Sequence, residues 1–316
     1  MLTWSTDGLP ANQRFDHWRE ERGRQLFGVT IELPPERRNR FEGRFSARQA
    51  SGATIASLSA SAYRVGRTNA DVARLAKDSL VIGLQVAGPG RCDTPAGRAF
   101  VDVGSIALGH TDLPYQSTPS TEGRFLIHML TIPVARLGPE GEAARGLHLA
   151  SLPDGRPAML LDAAVSALFD GADNLSRQAA DEAVDHIGRL ALLSRGAVSS
   201  RSPESRGALR AGLRHAALRF MRRNLHRARL TPDAAAKALG ISPRQLHLIF
   251  EPTGLSFQRT LNAMRVDVAC RLLSEASARP VADIAFSCGF DSLATFYRTF
   301  RSATGMTPVD WRHAAT

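Results

Sequence analysis

The chain has 316 residues, a formal net charge of +10 and three cysteines. The length suggests about two domains. No apolar stretch approaches the roughly 18 residues that span a bilayer, and residues 1–15 lack the basic start and apolar core of a secretory signal. Cys92, Cys270 and Cys288 are far apart and form no CxxC pair, so neither a disulfide framework nor a zinc site is implied. We therefore expect a soluble cytoplasmic protein.

The positive charge is concentrated in the last third of the chain. From Gly207 to the end there are 16 Arg and Lys residues and 7 Asp and Glu residues, a net of +9, whereas the first 206 residues carry a net of only +1. A basic segment attached to a near-neutral remainder indicates a module that binds a polyanion. Charge kept for solubility is the alternative, and it explains a diffuse excess better than one confined to a single third.

Before about residue 155 the pattern is mostly that of β-strands. Residues 79–87 alternate between two faces and end at a Gly-Pro-Gly triplet. Residues 124–133 alternate in the same way, with Phe125, Ile127 and Met129 on one face and Leu126, His128, Leu130 and Ile132 on the other. Several short strands at such intervals predict a small antiparallel barrel or sandwich, at about residues 25–155. We expect an amphipathic helix before it, around Phe15, Trp18 and Leu26.

Helical periodicity replaces the strand pattern from about Ala158. One helix is predicted to end near Gly171. A second helix, over 178–194, has an apolar stripe, which is either buried within the chain or paired with its equivalent in a homodimer. The stripe consists of Ala180, Val184, Ile187 and Ala191. Residues 194–207 are rich in Ser, Arg and Gly without periodicity, so we predict a linker there. The predicted domains are therefore 1–193, with helices at about 158–193, and 208–316.

The segment after the linker has the signals of a helix-turn-helix. Thr231 is a candidate N-cap, Pro232 occupies the first helical position, and Gly240 ends the helix. Ser242 and Pro243 then open a second helix. The residues predicted to pack the two helices together are Ala236, Leu246 and Phe250.

Nearly the same spacing recurs 49 residues later in the chain. Ala285 precedes the turn glycine Gly289 by four residues, and Asp291 or Ser292 caps the following helix. The turn is one residue longer than in the first copy. The residues of the second helix predicted to face inward are Phe296 and Phe300. The sequence thus predicts two helix-turn-helix units.

A long helix is predicted between the two units. It is capped by Ser256, contains no internal Gly or Pro and has apolar residues on more than one face. At about 1.5 Å per residue, its roughly 20 residues span about 30 Å, close to the 34–36 Å between successive major-groove faces of B-DNA. The helix could therefore hold two recognition helices in adjacent major grooves. Two helical hairpins packed for stability alone would account for neither this length nor the basic charge.

Residues 283–312 closely resemble the C-terminal signature of the AraC/XylS family of bacterial transcription regulators. The matching residues are Ile284, Ala285, Gly289, Phe290, Phe296, Arg298, Phe300, Gly305, Thr307, Pro308, Trp311 and Arg312. The resemblance covers about residues 215–314. The order of strands and turns in the first 155 residues resembles the effector-sensing β-domain of some members.

This resemblance implies an α+β protein. Its N-terminal part would be an effector-sensing and oligomerisation domain, built as a small cupin-like β-barrel with flanking helices. Its C-terminal part would be an all-α DNA-binding domain with two helix-turn-helix units joined by a long helix. The family further implies sequence-specific binding of double-stranded DNA, activation of transcription and contact with RNA polymerase. It also implies control by a small molecule, such as an aromatic or other organic acid.

Positions that contact DNA can be carried over from the resemblance. The first recognition helix would present Arg244, Gln245, His247 and Leu248, and the second would present Ser292, Leu293, Ala294, Thr295 and Arg298. Many members have a basic residue where this chain has Leu248, which can contact a thymine methyl group but cannot donate a hydrogen bond. Arg298 reads a base or binds a phosphate, and its place further along the helix favours phosphate. Arg265 on the linking helix is a further candidate for a phosphate or interdomain contact.

Four residues of the N-terminal part invite other interpretations. A barrel metal site needs two or three histidines with a carboxylate at close spacing, and His110 and His128 form no such cluster, so we predict no metal and no cofactor. His128 is either a core histidine or an effector contact, and Tyr115 is either an aromatic at the barrel lip or an effector contact. Cys92 has only Arg91 beside it as an activator, which favours an ordinary turn cysteine over a reactive thiol.

Three classes of function remain after these observations. The first is a DNA-binding transcription regulator without catalytic activity. The second is a metal-dependent barrel enzyme with appended DNA-binding helices, for which the ligands are lacking. The third is a non-specific basic protein that binds nucleic acid, which would not need two capped recognition helices at groove spacing.

Overall fold

The computed structural model describes residues 2–50, 52–171, 175–275 and 279–314. The chain forms two compact units, Met1–Gly212 and Leu213–Thr316. Of the predicted linker at 194–207, only residues 195–202 lie outside helices, because one helix ends at Ser194 and another runs from Pro203 to Asn224. No helix in the described ranges is long and apolar enough to span a membrane.

The first unit contains the strands. In chain order they are β1 (Leu2–Ser5), β2 (Thr30–Glu32), β3 (Gly43–Ala50), β4 (Ala53–Ser61), β5 (Arg64–Arg67), β6 (Ser79–Ala87), β7 (Gly90–Thr94), β8 (Gly97–Val101), β9 (Ile106–His110), β10 (Tyr115–Pro119), β11 (Arg124–Pro133) and β12 (Ala150–Ser151). The predicted α+β class, with a strand-rich first part and a helical second part, is confirmed.

The strands form two open antiparallel sheets. The larger sheet has seven strands in the order β1-β3-β4-β11-β6-β9-β12, and the smaller has five in the order β2-β5-β10-β7-β8. Of the two predicted arrangements, a small antiparallel barrel or a sandwich, the cupin-like barrel is corrected, because neither sheet closes on itself. Alternation along a strand specifies which residues face inward, but closure depends on pairing between edge strands that are distant in sequence.

Helices flank the strands of this unit. They are α1 (Ala11–His17), α2 (Pro35–Arg38), α3 (Asn69–Arg74), α4 (Arg156–Asp170) and α5 (Arg177–Ser194), with a π-helical segment Trp18–Phe27 and a 3-10 segment Val134–Ala144. Phe15 and Trp18 are fully buried and pack on Phe41 with ring centroids 5.5 and 5.7 Å away. The predicted N-terminal amphipathic helix is thus confirmed, although its second half is π-helical.

The apolar stripe of α5 is buried within the chain. Val184, Ile187 and Ala191 are at most 1% exposed. A Cβ added at Gly188 would lie 2.6 Å from a methyl group of Leu137 and 3.2 Å from one of Ile132, so the helix approaches the larger sheet closely. Of the two alternatives, the stripe serves the core of its own unit and does not offer a surface to a second copy.

The second unit is helical. A helix α6 (Pro203–Asn224) enters it and is followed by α7 (Pro232–Leu239), α8 (Pro243–Phe250), α9 (Phe257–Glu275), α10 (Val281–Ser287), α11 (Leu293–Thr304) and α12 (Pro308–Ala314), with a 3-10 turn Glu251–Thr253. Both predicted helix-turn-helix pairs, α7–α8 and α10–α11, are present, and α9 is the predicted long helix.

The long helix α9 contacts both pairs. Phe257 near its start meets Phe250 of α8 edge-to-face, with ring centroids 5.9 Å apart. Further along, Leu273 is fully buried in the cluster that contains Phe296 and Phe300 of α11. Apolar residues on more than one face of α9 are therefore explained by helices that pack on it from two sides.

Candidate nucleic-acid interface and ligand cavity

The first helix-turn-helix is defined by local hydrogen bonds. Gly240 ends α7 in the left-handed conformation, with φ of 63°. The Ser242 hydroxyl accepts from the backbone N–H of Gln245 at 3.2 Å, and the Gln245 side-chain oxygen accepts from the backbone N–H of Ser242 at 3.1 Å. This capping box fixes the residue at which α8 begins.

The residues of α8 predicted to contact DNA share one exposed face. Leu246, Ile249 and Phe250 are buried on the opposite face. Leu248 is half exposed, at 50%, and it forms an apolar contact surface beside polar neighbours. The exposed residues are Arg244, Gln245, His247 and Leu248.

The second recognition helix, α11, has the same plan. The Ser292 hydroxyl accepts from the backbone N–H of Thr295 at 3.2 Å and bonds the Thr295 hydroxyl at 2.9 Å. These two predicted DNA contacts therefore form the helix cap and are half-buried. The other predicted contacts are exposed, namely Leu293, Ala294 and Arg298.

Tyr297 also lies on the exposed face of α11 and was not among the residues predicted to contact DNA. Its side chain is 37% exposed, and its ring meets Phe296 edge-to-face at 5.8 Å. The position could have been found from helical spacing, because Tyr297 follows Ala294 by three residues and Leu293 by four.

Arg265 lies away from this exposed surface. Its side chain is buried, at 4% exposure. Its Nε donates to the backbone carbonyl of Leu225 at 2.9 Å and its Nη2 to that of Arg227 at 2.7 Å. The guanidinium also lies 5.7 Å from the centre of the Phe290 ring. The structure thus differs from the expectation of a phosphate contact, because Arg265 holds the chain between α6 and α7 against α9.

A cavity of about 240 Å³ lies between the two sheets of the first unit. Alternate residues of the larger sheet line it, among them Val81 and Gly83 from β6 and Ile127 and Met129 from β11. Residues between these, such as Leu80 and Leu130, are fully buried on the other face of the sheet. The alternation predicted for both strands is confirmed, and the cavity is the candidate effector site.

Of the two residues suggested as effector contacts, one lines the cavity and the other lies on the opposite face of the larger sheet. Tyr115 on β10 lines the cavity, and burial raises the pKa of its phenol to about 12. His128 is not among the residues that line the cavity. Its ring instead stacks on Phe169 of α4 at 4.3 Å, and burial lowers its pKa while Asp170 opposes that shift. The structure therefore differs from the suggested role of His128 in effector binding.

Cys92 lines the cavity from strand β7 and does not lie in a turn, which corrects the predicted position. It is buried, and burial with a further contribution from Asp93 raises the pKa of its thiol to about 12. A thiol in this environment stays protonated near neutral pH and is a poor nucleophile.

Two cationic side chains line the cavity, and neither was singled out from the sequence. They are Arg67, at the end of β5, and Lys77, just before β6. Burial lowers the pKa of Lys77, the positive charge of Arg67 lowers it further, and Asp112 opposes both. A signal was available in the composition, because Lys77 is one of only two lysines in the chain.

The described residues contain no group of three or more His, Cys, Asp or Glu side chains that could hold a metal ion. His110 instead shares hydrogen bonds with its neighbours. Its Nδ1 accepts from the backbone N–H of Asp112 at 3.2 Å, and its Nε2 lies 3.1 Å from the Asp78 carboxylate. The second interaction therefore needs a proton on Nε2, which gives this ring a structural role.

The chain is similar to known transcription regulators over both units. Residues 18–194, more than half of the chain, match the AraC-binding-like domain, and residues 235–314 match a helix-turn-helix domain. The transcriptional activator RhrA of Rhizobium meliloti is 36% identical over 93 residues, which are 29% of this chain and 30% of RhrA. The transcriptional activator NphR of a Rhodococcus species is 34% identical over 94 residues, which are 30% of this chain and 28% of NphR.

These matches to curated relatives span less than a third of the relatives' length. A solved structure extends the likeness in fold. The AraC-like transcriptional activator CuxR is 21% identical, with a TM-score of 0.54, over 90% of this chain and 99% of that one. With both domain models matched in the expected order, the chain belongs to the AraC/XylS family of transcription regulators.

Proposed function

We propose that this protein is a sequence-specific DNA-binding transcription regulator, acting as an activator, under the control of a small organic effector. The observation that carries the proposal is the pair of capped recognition helices in one basic unit. Both α8 and α11 bury one face and expose the other. The last 110 residues, which contain both helices, have a net charge of +9, and such a surface attracts phosphate groups at any sequence.

The two recognition helices differ in their exposed residues, so we expect them to contact DNA in different ways. Arg244 and His247 on α8 can donate hydrogen bonds to base edges in a major groove. On α11, Leu293 and Ala294 are apolar, which favours methyl contacts and positioning. At about 1.5 Å per residue, the 19 residues of α9 span about 28 Å. We propose that this helix holds α8 and α11 in successive major grooves of one duplex.

Footprinting of genomic DNA by the purified full-length protein at physiological salt tests this function. We expect sharp protected sites of about two helical turns, with at least about 10³-fold preference over random DNA. Binding without preferred sites, both with and without candidate effectors, would support the non-specific alternative instead. The genes beside the protected sites would identify the regulated pathway.

Replacing Arg244 by alanine should weaken binding to the preferred site by about 1–3 kcal/mol and relax specificity at one base pair. Arg244 is exposed at the second position of α8, where a side chain can reach a base edge. Binding-site selection from random DNA measures both effects. Arg259→Ala, which removes the same charge from an exposed position on α9, is the control. Equal weakening on all sequences would make Arg244 a phosphate contact.

Contact with RNA polymerase and self-association are further parts of the proposal. A homodimer would have to use a surface other than the apolar stripe of α5, since that stripe is buried within its own unit. We also propose that the protein has no catalytic activity. Sedimentation of the full-length protein at micromolar concentration tests self-association directly.

A further inference from the structure

The end of α6 and the loop that follows it carry a dense group of basic residues. All of them are exposed, and the sequence contains no Asp or Glu from residue 205 to residue 232. Within the part of the chain that the structure describes, none of the four arginines in this group has an ion-pair partner. We call residues 222–229 the basic loop. Its basic residues are Arg222, Arg223, His226, Arg227 and Arg229.

Two simpler roles leave part of this charge without an explanation. Arg222 and Arg223 lie in the last turn of α6, where cations interact favourably with the helix dipole. Arg227 and Arg229 lie beyond the end of the helix, and the dipole effect falls off within the last turn. Charge kept for solubility would be spread over the surface, whereas these four arginines lie within eight consecutive residues.

The backbone of the basic loop is fixed to the middle of α9. Arg265 is the ninth of the 19 residues of α9, and it donates to the backbone carbonyls of Leu225 and Arg227 at 2.9 and 2.7 Å. The backbone N–H of Arg227 donates to the carbonyl of Asn224 at 3.0 Å. The backbone is therefore held in place while the basic side chains stay exposed. Such preorganisation lowers the entropy that is lost when a loop binds its partner.

The basic loop also packs against the turn that leads into α11. A Cβ added at Gly289 would overlap the carbonyl oxygen of Leu225 and would lie 3.0 Å from the carbonyl carbon of His226. Gly289 comes four residues before Leu293, where α11 begins. Recognition helices contact base edges with their N-terminal residues. The basic loop therefore lies near the end of α11 that would enter a major groove.

The first helix-turn-helix has no such neighbour. A Cβ added at its turn glycine, Gly240, would meet no described heavy atom within 4 Å. Its recognition helix α8 exposes Arg244 and His247, which can donate hydrogen bonds to bases, whereas α11 begins with the apolar Leu293 and Ala294. The basic loop thus places positive charge beside the recognition helix whose first residues lack polar side chains.

We propose that the basic loop binds the phosphate backbone of DNA between the two major grooves that α8 and α11 occupy. The proposal rests on the proposed function and adds a third contact that does not depend on base sequence. Because the loop is fixed to the middle of α9, it lies between the two recognition helices, where the minor groove and its flanking phosphates separate the two major grooves. Arginine suits this role, since its N–H donors match the geometry of phosphate oxygens.

This contact holds α11 in its groove through charge. Phosphate contacts fix the position and orientation of a protein on DNA, and they carry no sequence information themselves. Each phosphate that is neutralised adds about 0.9 to the slope of log affinity against log salt concentration. The two arginines beyond the helix, Arg227 and Arg229, should therefore contribute about two units of slope on any duplex.

The test uses the full-length protein with Arg227→Gln and Arg229→Gln combined. Arg227 contacts Arg265 through its backbone carbonyl, so the variant keeps the contact that fixes the loop. The control combines Arg40→Gln with Arg177→Gln, which removes the same charge from two exposed positions of the first unit. Affinity for the preferred site and for a random duplex is measured from about 0.1 to 1 M salt, a range over which phosphate contacts weaken strongly.

We expect the loop variant to lose about two units of salt slope on both duplexes. Its affinity at 0.1 M salt should fall by roughly 10- to 100-fold, with no change in the preferred base sequence. The control variant should stay within about 2-fold of the wild-type protein, because distant charges are screened at this salt concentration.

Ethylation interference locates the contact on the DNA, because an ethyl group neutralises one phosphate at a time. With the wild-type protein, we expect interference at phosphates of the minor groove between the two protected major grooves. With the loop variant, this interference should disappear while that in the two major grooves remains. The wild-type pattern decides the question even if the variant fails to fold.

Three outcomes would overturn the proposal. They are an unchanged salt slope in the loop variant, an equal loss in the control variant, and no interference between the two grooves with the wild-type protein. Weaker activation of transcription with unchanged DNA affinity would instead assign the loop to an acidic protein partner. Sharp footprints with any of these results would leave the proposed function standing, whereas binding without preferred sites would remove that function itself.

Discussion

Replacing Gly289 by alanine should lower the free energy of unfolding of the second unit by about 3 kcal/mol or more and abolish DNA binding with it. Gly289 lies in the turn of the second helix-turn-helix with φ of 85°. A Cβ added there would lie 2.1 Å from the carbonyl oxygen of Leu225 and 3.0 Å from Nη2 of Arg265. The nearest atom belongs to the backbone, so the overlap cannot be relieved by rotating a side chain.

Gly240 provides a matched control for this prediction. It occupies the turn of the first helix-turn-helix with φ of 63°, but an added Cβ would meet no described heavy atom within 4 Å. Gly240→Ala should therefore lower the free energy of unfolding by only about 1–2 kcal/mol, because alanine is strained in the left-handed conformation. Urea unfolding, combined with hydrogen exchange of the peptides from α9 and α11, measures both variants. Equal losses of stability would mean that backbone conformation alone, without close packing, requires the glycine at 289.

The helices of the second unit were predictable because their boundaries are determined locally. Ser242 and Gln245 form a capping box within four consecutive residues, and Gly240 ends the preceding helix by its own conformation. Such signals act over one helical turn and are present in the sequence itself. The exposed face of α8 followed from the same spacing, because Leu246 and Phe250 specify the buried side.

The arrangement of the sheets and the cavity could not be derived in this way. Alternation in β11 indicated two faces, but nothing local indicated which face lines the cavity, and His128 lies on the other one. Arg67 and Lys77 line the same cavity because Arg67 ends β5 of the smaller sheet and Lys77 lies just before β6 of the larger sheet. Pairing between distant strands is specified by the whole fold.

Arg265, in the helical unit, is another residue whose contacts could not be predicted from local sequence signals. Its place on the linking helix suggested a phosphate or interdomain contact, yet its partners are the carbonyls of Leu225 and Arg227, some 40 residues earlier in the chain. A buried arginine and an exposed one cannot be told apart by residue type. A buried arginine is recognised by the backbone that covers its side chain. For Arg265 this is the segment between α6 and α7, which is distant from α9 in sequence.

Arg265→Met should therefore destabilise the second unit by about 3 kcal/mol, because two carbonyls would lose charged hydrogen-bond donors. Methionine keeps much of the apolar stem against Phe290. At temperatures where the variant remains folded, the dependence of DNA affinity on salt concentration should be unchanged. A phosphate contact would give the opposite result, with stability preserved and the logarithmic salt dependence reduced by about one.

Arg298→Met is the matched comparison, since Arg298 is exposed on the recognition helix α11. We expect this variant to keep its stability and to lose about one unit of the salt slope. Urea unfolding and DNA titrations at several salt concentrations, run on both variants, distinguish the two roles. A reduced salt slope in Arg265→Met without loss of stability would show that Arg265 reaches the DNA backbone after all, and that the contacts to Leu225 and Arg227 give way when DNA binds.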